Sequence, residues 1–268
     1  MTQVVLYEVE GAIATVTLNR PDRLNTMTPA LLDSMGDALE AASEDPQVRV
    51  VIVTGSGRAF CAGGELRGIS KGQSLHSSGG PASKEEEVQR LKQWMRSSVL
   101  VRTMPKATIA KINGPCAGAG LALACACDLR YCGRSAVFNT AFLTAGVSGD
   151  FGGTWTLPRV VGPAKARELY LISEKFSSVE AERIGLVTRC LPDELLGDEV
   201  SRVAERLAGL APLALAAAKE NLNDSAVSTF EEQMALEADR FIRCRNSEDA
   251  REAASAYLEK RPPLFQGR

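Results

Sequence analysis

The chain has 268 residues, 45% of them apolar, with 31 basic and 33 acidic side chains and a formal charge of −2. That length suits one large domain or one domain with an appendage. The balanced charge argues against nucleic acid as a partner, and no apolar run reaches the ~18 residues of a membrane span. The opening MTQVVLYEVEG lacks a basic n-region, so no signal peptide is expected and the expected compartment is cytoplasmic.

In chain order, Val4–Glu8 and Ala12–Leu18 alternate about Gly11 and read as a hairpin, followed by the polar turn Asn19–Arg23. Thr28 is a good N-cap with Pro29 at the first helical position. The helix it opens runs to about Ser43 on a stripe of Leu31, Leu32, Met35 and Leu39. Val48–Thr54 reads as a strand with a buried centre, and Gly55–Leu66 as a glycine-rich turn. Arg67–Ser83, rich in Gly and Ser, reads as a surface loop. Ser83 and Glu86 form a capping-box pattern for a helix carrying Val88, Leu91, Met95 and Val99 on its apolar face.

Lys106–Ile112 reads as a buried strand, Asn113–Gly120 as a second glycine turn, and Leu121–Cys127 as a helix apolar on all sides. Asp128–Cys132 and Ala136–Phe138 read as short strands. After the irregular Asn139–Gly149, the segment from Asp150 opens a short helix to about Val161, with Asp150 a candidate N-cap. A helix over Pro163–Ile172, another capped by Ser177 and Glu180 and ending at Gly185, and a last strand Leu186–Leu191 complete this part. Glu194–Leu210, Pro212–Asn223, Thr229–Asn246 and Ser247–Lys260 read as helices, with an extended tail from Arg261. The recurring strand–turn–helix unit implies α/β layering. We divide the chain into a core over 1–200 and a helical C-terminal region over 201–268.

The glycine turns carry the chemical interest. A strand that turns through glycines into a helix N-terminus points free backbone N–H groups at one spot. Such a spot can hold a developing negative charge. Two other readings of the second turn stay open: the glycines serve only a tight turn, or Gly118-Ala119-Gly120 with Ala124 is a dinucleotide fingerprint. The latter lacks its third glycine and the acidic residue at the usual ~20-residue offset. The seven cysteines are odd in number, most of them lie in apolar surroundings, and Cys125-Ala-Cys127 has no CxxC partner, which implies free thiols and no metal site. The single histidine, His76, sits in the Ser/Gly-rich loop, so acid–base chemistry falls to a carboxylate, Cys, Tyr or Lys.

Taken together the two turns are far more specific. Ala59-Phe60-Cys61-Ala62-Gly63-Gly64-Glu65-Leu66 resembles the AFCAGxDL signature of the crotonase (enoyl-CoA hydratase/isomerase) superfamily, and Asn113-Gly114-Pro115-Cys116-Ala117-Gly118-Ala119-Gly120 resembles its NGxAxGxG signature. Asn19-Arg20-Pro21 with Asn25, Gly149–Gly162 and the ending Tyr257–Pro262 extend the resemblance over essentially the whole chain.

The resemblance implies an α/β fold, a crotonase-like spiral of ββα units with a C-terminal helical region that forms a homotrimer or a dimer of trimers. It implies an acyl-CoA thioester as the molecule bound. Coenzyme A then enters as part of the substrate, with no separate cofactor and no metal. The thioester oxygen would sit between the N–H groups of Gly64 and Ala119. Ala119 stands where the family usually has glycine, which a donor at a helix start tolerates if its φ is negative. Around this point the motifs place Ala62, Gly63, Glu65, Leu66, Pro115, Ala117 and Gly118. Glu65 stands where the family usually has aspartate and orders the turn.

Arg23 and Leu24 fall where the family contacts the nucleotide and pantetheine. Lys260 either reaches a phosphate on a neighbouring subunit or is simply solvated. The loop 67–83 would cover the acyl pocket. The two glutamates of family hydratases correspond to Ala122 and Phe142, neither of which transfers a proton. Asp150 matches the carboxylate of the family's Asp-dependent isomerases and dehalogenases. The implied function is double-bond isomerisation through an enolate, with Asp150 as acid and base. Hydration or hydrolysis through Asp150, and acyl-CoA binding without turnover, are the alternatives.

Overall fold

A computed structural model of the chain describes residues 3–65 and 83–268. Leu66, His76 and all of the expected 67–83 loop except Ser83 lie outside the described residues. The first hairpin pairs β1 (Val5–Glu10) with β2 (Ile13–Leu18), Val5 opposite Leu18. From β2 onward the main sheet is parallel, in the order β1, β2, β3 (Val50–Gly55), β4 (Ala107–Ile112), β6 (Leu129–Gly133) and β9 (Arg189–Leu191). A small second sheet joins β5 (Cys116–Ala117) to β7 (Val137–Asn139) and β8 (Phe176–Ser177).

Every residue of β3 is buried because helices cover both faces of the sheet. Val51 and Val53 point toward the larger core. There they meet α1 (Pro29–Glu44), α2 (Lys84–Thr103) and α3 (Ala119–Ala126). Val50 and Ile52 point the other way, into a second cluster with Leu196, Val200 and Ala204. Those three belong to α7 (Leu196–Ala208). Between these lie α4 (Gly153–Val161), α5 (Pro163–Ile172) and α6 (Ser178–Arg183). The chain ends in α8 (Pro212–Asp224), α9 (Phe230–Arg245) and α10 (Glu248–Glu259). No described helix is long and apolar enough to cross a membrane.

Local signals placed most elements. Thr28 caps α1, accepting from the Leu31 N–H, and both Ser83 and Thr229 form complete capping boxes. The departures have physical causes. On α2 the buried face runs through Trp94, Ser97, Ser98 and Val101, while Val88 and Val99 are exposed. Trp94 anchors this rotation by donating its Nε1–H to Asp33 Oδ1 at 2.9 Å, and the small serines sit where the helix is closely covered. The last strand of the main sheet is shorter than the sequence suggests. Leu186 and Val187 are buried in the turn after α6, before pairing begins at Arg189. A 3-10 turn over Asp193–Leu195 precedes α7.

A buried polar knot fastens α8 to the sheet. The Lys219 ammonium donates to the carbonyls of Val101 and Lys106, both at 2.9 Å, and pairs with Asp128 Oδ2 at 2.8 Å. That same carboxylate oxygen accepts from the Thr108 N–H and hydroxyl at 2.8 and 2.9 Å. Removing the ammonium leaves a carboxylate and two carbonyls short of a donor. Lys219→Ala is therefore expected to lower unfolding free energy in urea by about 3–5 kcal/mol. A loss under about 1 kcal/mol would show that solvent already satisfies the knot.

Candidate active site

Two glycine turns leave adjacent parallel strands side by side. Turn one follows β3 and turn two follows β4, whose register pairs Thr54 with Lys111. The Asn113 amide nitrogen donates to the carbonyls of Gly55 and Gly57 at 2.8 Å each, tying the base of one turn to the other. Further out the turns pair as a short parallel bridge, Cys61 opposite Cys116. Cys61 N–H donates to Pro115 O at 3.2 Å and Ala117 N–H to Cys61 O at 2.9 Å. Beyond the bridge Gly63 and Gly118 stay close, since a Cβ on either would lie within 3.7 Å of the other's Cα, and Gly64 and Ala119 are the next residues of the two turns.

This approach requires glycine. A Cβ on Gly120 would lie 2.6 Å from Cys61 O and 2.9 Å from its Sγ, and one on Gly114 would collide with Arg58 O. Gly63 has φ +93° and a Cβ there would sit 3.0 Å from Ala117 O. Gly118 and Gly120 thus face the other turn. Their missing side chains admit protein, not the pyrophosphate that the dinucleotide reading needs.

Ala119 opens α3 and is not among the residues with positive φ. Its N–H, at the first helical position, has no intrahelical acceptor. The Gly64 N–H likewise makes none of the turn or bridge hydrogen bonds among the described residues, and a Cβ on Gly64 would meet none of their atoms within 4 Å. Two unused donors therefore stand on the residues that directly follow the neighbouring pair Gly63 and Gly118.

The segment before α1 braces turn one. Asn25, fully buried with φ +55°, accepts from Arg20 N–H at 2.8 Å and donates to Ser56 O and Ala59 O at 3.0 and 2.8 Å. Ala62 N–H donates to Leu24 O at 3.0 Å, and Met27 N–H to Gly63 O at 2.8 Å. Leu24 and Ala62 are thus neighbours, with exposed Arg23 beside them on a 3-10 turn. Glu65 faces the Arg20 guanidinium at 4.0 Å. Pro115 and Ala117 line turn two and are half-buried. Lys260 lies apart: it is the exposed C-cap of α10, and its backbone hydrogen bond stays within that helix end.

The wall beside α3 holds Ala122, Phe142, Asp150 and Tyr170. Ala122 and Phe142 are buried, and the Phe142 ring lies next to Gly118. Asp150 does not cap α4 with its side chain; the N-cap is Gly152, and Asp150 offers only its carbonyl, accepting from Gly153 N–H at 3.1 Å. Its Oδ1 is buried without a hydrogen-bond partner among the described residues. Burial alone pushes its carboxyl up to about 6. The backbone around it is left-handed at Gly149, Phe151 and Gly152.

Nothing in the sequence distinguishes Tyr170 within the helix over Pro163–Ile172. Its ring stacks on Phe142 with centroids 6.0 Å apart and planes 5° off parallel. Its hydroxyl meets Gly153: a Cβ there would collide with the phenol oxygen and lie 3.0 Å from Ala122 Cβ.

All seven cysteines are free. Burial pushes Cys61 up to about 12 and Cys125 up to about 11, so neither supplies a thiolate nucleophile at neutral pH. Among the described residues no group of three or more His, Cys, Asp or Glu is placed to hold a metal ion.

Comparison with known proteins agrees over the whole chain. The profile of the family described as "Enoyl-CoA hydratase/isomerase" matches residues 8–268. A 1,2-epoxyphenylacetyl-CoA isomerase of Escherichia coli K12 is 35% identical, covering all of both chains. A crotonyl-CoA hydratase of Syntrophomonas wolfei is 34% identical over 97% of each. The crystal structure of an enoyl-CoA hydratase from Bacillus anthracis superposes with a TM-score of 0.91 at 28% identity, covering 99% of this chain and 100% of that one.

The raised carboxyl of Asp150 has a consequence for stability. Below the ordinary carboxylate pKa of 3.8 both folded and unfolded chains hold the proton. From about pH 4 to 6 the unfolded chain ionises while the fold does not, so stability falls as pH rises, then levels off. Asp150→Asn escapes this. Its stability advantage over the wild type should open between about pH 4 and 6 and reach about 1–3 kcal/mol above it. A gap that is the same at pH 4 and pH 8 would contradict the buried-carboxyl description.

Proposed function

The chain belongs to the enoyl-CoA hydratase/isomerase family, and on that premise we propose that it shifts a carbon–carbon double bond in an acyl-CoA thioester, with Asp150 carrying the proton. The observation that carries this reading is the Asp150 carboxyl. It is the one carboxyl on a wall otherwise made of Ala122, Phe142 and Tyr170, and its buried oxygen has no partner among the described residues.

In this mechanism the thioester oxygen accepts hydrogen bonds from the N–H groups of Gly64 and Ala119. Asp150 takes a proton from carbon, the C–H electron pair becomes the new double bond, and the negative charge moves onto that oxygen. Two amides already in place stabilise it without reorganisation, each worth about 2.7–4 kcal/mol in a dry site. The protonated Asp150 then returns the proton to a different carbon and the enolate collapses. A carboxyl near 6 suits both halves, being ionised at neutral pH yet a competent acid once protonated. Arg23, Leu24 and Ala62 would hold the CoA portion; coenzyme A arrives with the substrate and no other cofactor takes part. The Escherichia coli relative bears the name of an isomerase, which supports this choice within the family.

The test is turnover in D₂O across a panel of enoyl-CoA esters, read by mass spectrometry. The wild type should move the double bond and incorporate deuterium, with kcat/KM rising through a limb near pH 6. Asp150→Asn should bind the same esters and lose both isomerisation and exchange by at least about 10²-fold. Wild-type turnover in the Asn variant would overturn the reading.

We also propose that α8, α9 and α10 assemble the chain into a trimer or a dimer of trimers. Phe230, Met234, Phe241, Tyr257 and Leu258 on these helices are more than half exposed, a large apolar surface for a single chain. Light scattering at micromolar concentration should give three or six chains. Phe241→Glu should shift the mass toward one chain. A wild-type monomer would exclude the proposal.

A further inference from the structure

The wall beside α3 holds one polar group that the reaction above leaves idle. Tyr170 lies on α5, outside both glycine motifs. Its ring stacks on Phe142, whose own ring reaches Gly118 at the head of α3. Its hydroxyl ends against Gly153, which also packs on Ala122. Only glycine at 153 leaves room for that oxygen. Among the described residues the hydroxyl has no hydrogen-bond partner, although the ring is fixed. We infer that Tyr170 is a specificity-determining residue, whose hydroxyl donates a hydrogen bond to an oxygen carried on the acyl chain of the substrate. The inference rests on the acyl-CoA reading of this site and deepens it by naming a substrate class, acyl groups bearing a hydroxyl or keto oxygen beyond the thioester.

The chemistry follows from what surrounds the phenol. Burial, and after it the nearby Cys125 and Asp150, hold its pKa well above the usual tyrosine value. It therefore stays protonated throughout the working range, and it neither replaces Asp150 as base nor becomes a charged ligand. What it offers is a neutral O–H on a wall whose other members, apart from Asp150, are the buried apolar side chains of Ala122 and Phe142. An all-carbon acyl group packed there would take water from that O–H and return nothing, which leaves a buried donor unsatisfied. An acyl group with an oxygen at that point restores the bond. Sites that hydrogen-bond a substrate oxygen discriminate strongly against the analogue lacking it. The fixed ring adds position: with Phe142 stacked on one face, the phenol has little freedom to turn away.

The test is binding, so it does not depend on turnover. Isothermal titration of the intact protein compares butyryl-CoA with its β-hydroxy and γ-hydroxy derivatives, on the wild type and on Tyr170→Phe. The Phe variant keeps the ring and the stack and removes only the O–H. The wild type should bind at least one hydroxy ester about tenfold more tightly than butyryl-CoA. Tyr170→Phe should erase that preference while holding butyryl-CoA as well as before or better. A wild type without any preference, or a preference that survives in Tyr170→Phe, overturns the inference while leaving the acyl-CoA reading intact. Failure of the wild type to bind any of the three esters would instead remove the acyl-CoA reading on which it rests.

Discussion

Two backbone amides can act on one oxygen only if two separate turns are held in register, and the Cys61–Cys116 bridge is what holds them. Much else in the fold serves that pairing. Strands β3 and β4 are adjacent and parallel, so their C-terminal ends emerge together and both turns start from one edge of the sheet. Asn113 then laces the turn bases, and Asn25 with the Leu24 and Met27 backbone closes the outer side of turn one. Gly114 and Gly120 admit the neighbouring turn where no Cβ fits. The donors themselves are left out of this lacing, since an amide satisfied internally would have nothing to offer a ligand.

The same region is electrically sparse by construction. The thiols around turn two are held neutral by burial, and Ala122 and Phe142 carry no charge. In such surroundings a dipole or a single carboxylate counts for far more than it would in water. Desolvation is the cause of the raised Asp150 carboxyl, and among the described residues no cation counters it. On the proposed reaction the apolar wall has two effects: it strengthens the two amide dipoles, and it makes one carboxyl both base and acid.

How far this was legible from sequence differs by element. The fold class and both turns could be read because glycine motifs and caps act locally: Thr28, Ser83 and Thr229 mark helix starts through bonds to residues three positions away. The family resemblance implied that Gly64, Ala119 and Asp150 share one site. What sequence could not supply was contact across the fold. The apolar stripe drawn on α2 ignored Ser97 and Ser98, yet these lie on its buried side because Trp94 reaches Asp33 on α1. The capping role weighed for Asp150 used a correct local preference, but Gly152 takes the cap and the carboxyl turns inward. Tyr170 gave no signal, since a tyrosine in an apolar helix looks like core until Phe142 and Gly153 are set against it.

The inward turn of Asp150 has a visible backbone cause. Gly149 at φ +117°, Phe151 at +51° and Gly152 at +75° surround it with left-handed conformations, one of them in a bulky residue that seldom adopts it. A phenylalanine so placed costs of order 1 kcal/mol or more. Phe151 is 2% exposed, and burying such a side chain contributes about 1.5–3 kcal/mol. The two terms are of the same size, so core packing of Phe151 can hold the chain in a conformation it would otherwise leave. Strain, desolvation of the carboxyl and loss of its capping bond all fall on one four-residue turn. Stability alone would favour relieving each of them, and their coincidence at a single side chain supports the proposal that Asp150 carries the proton.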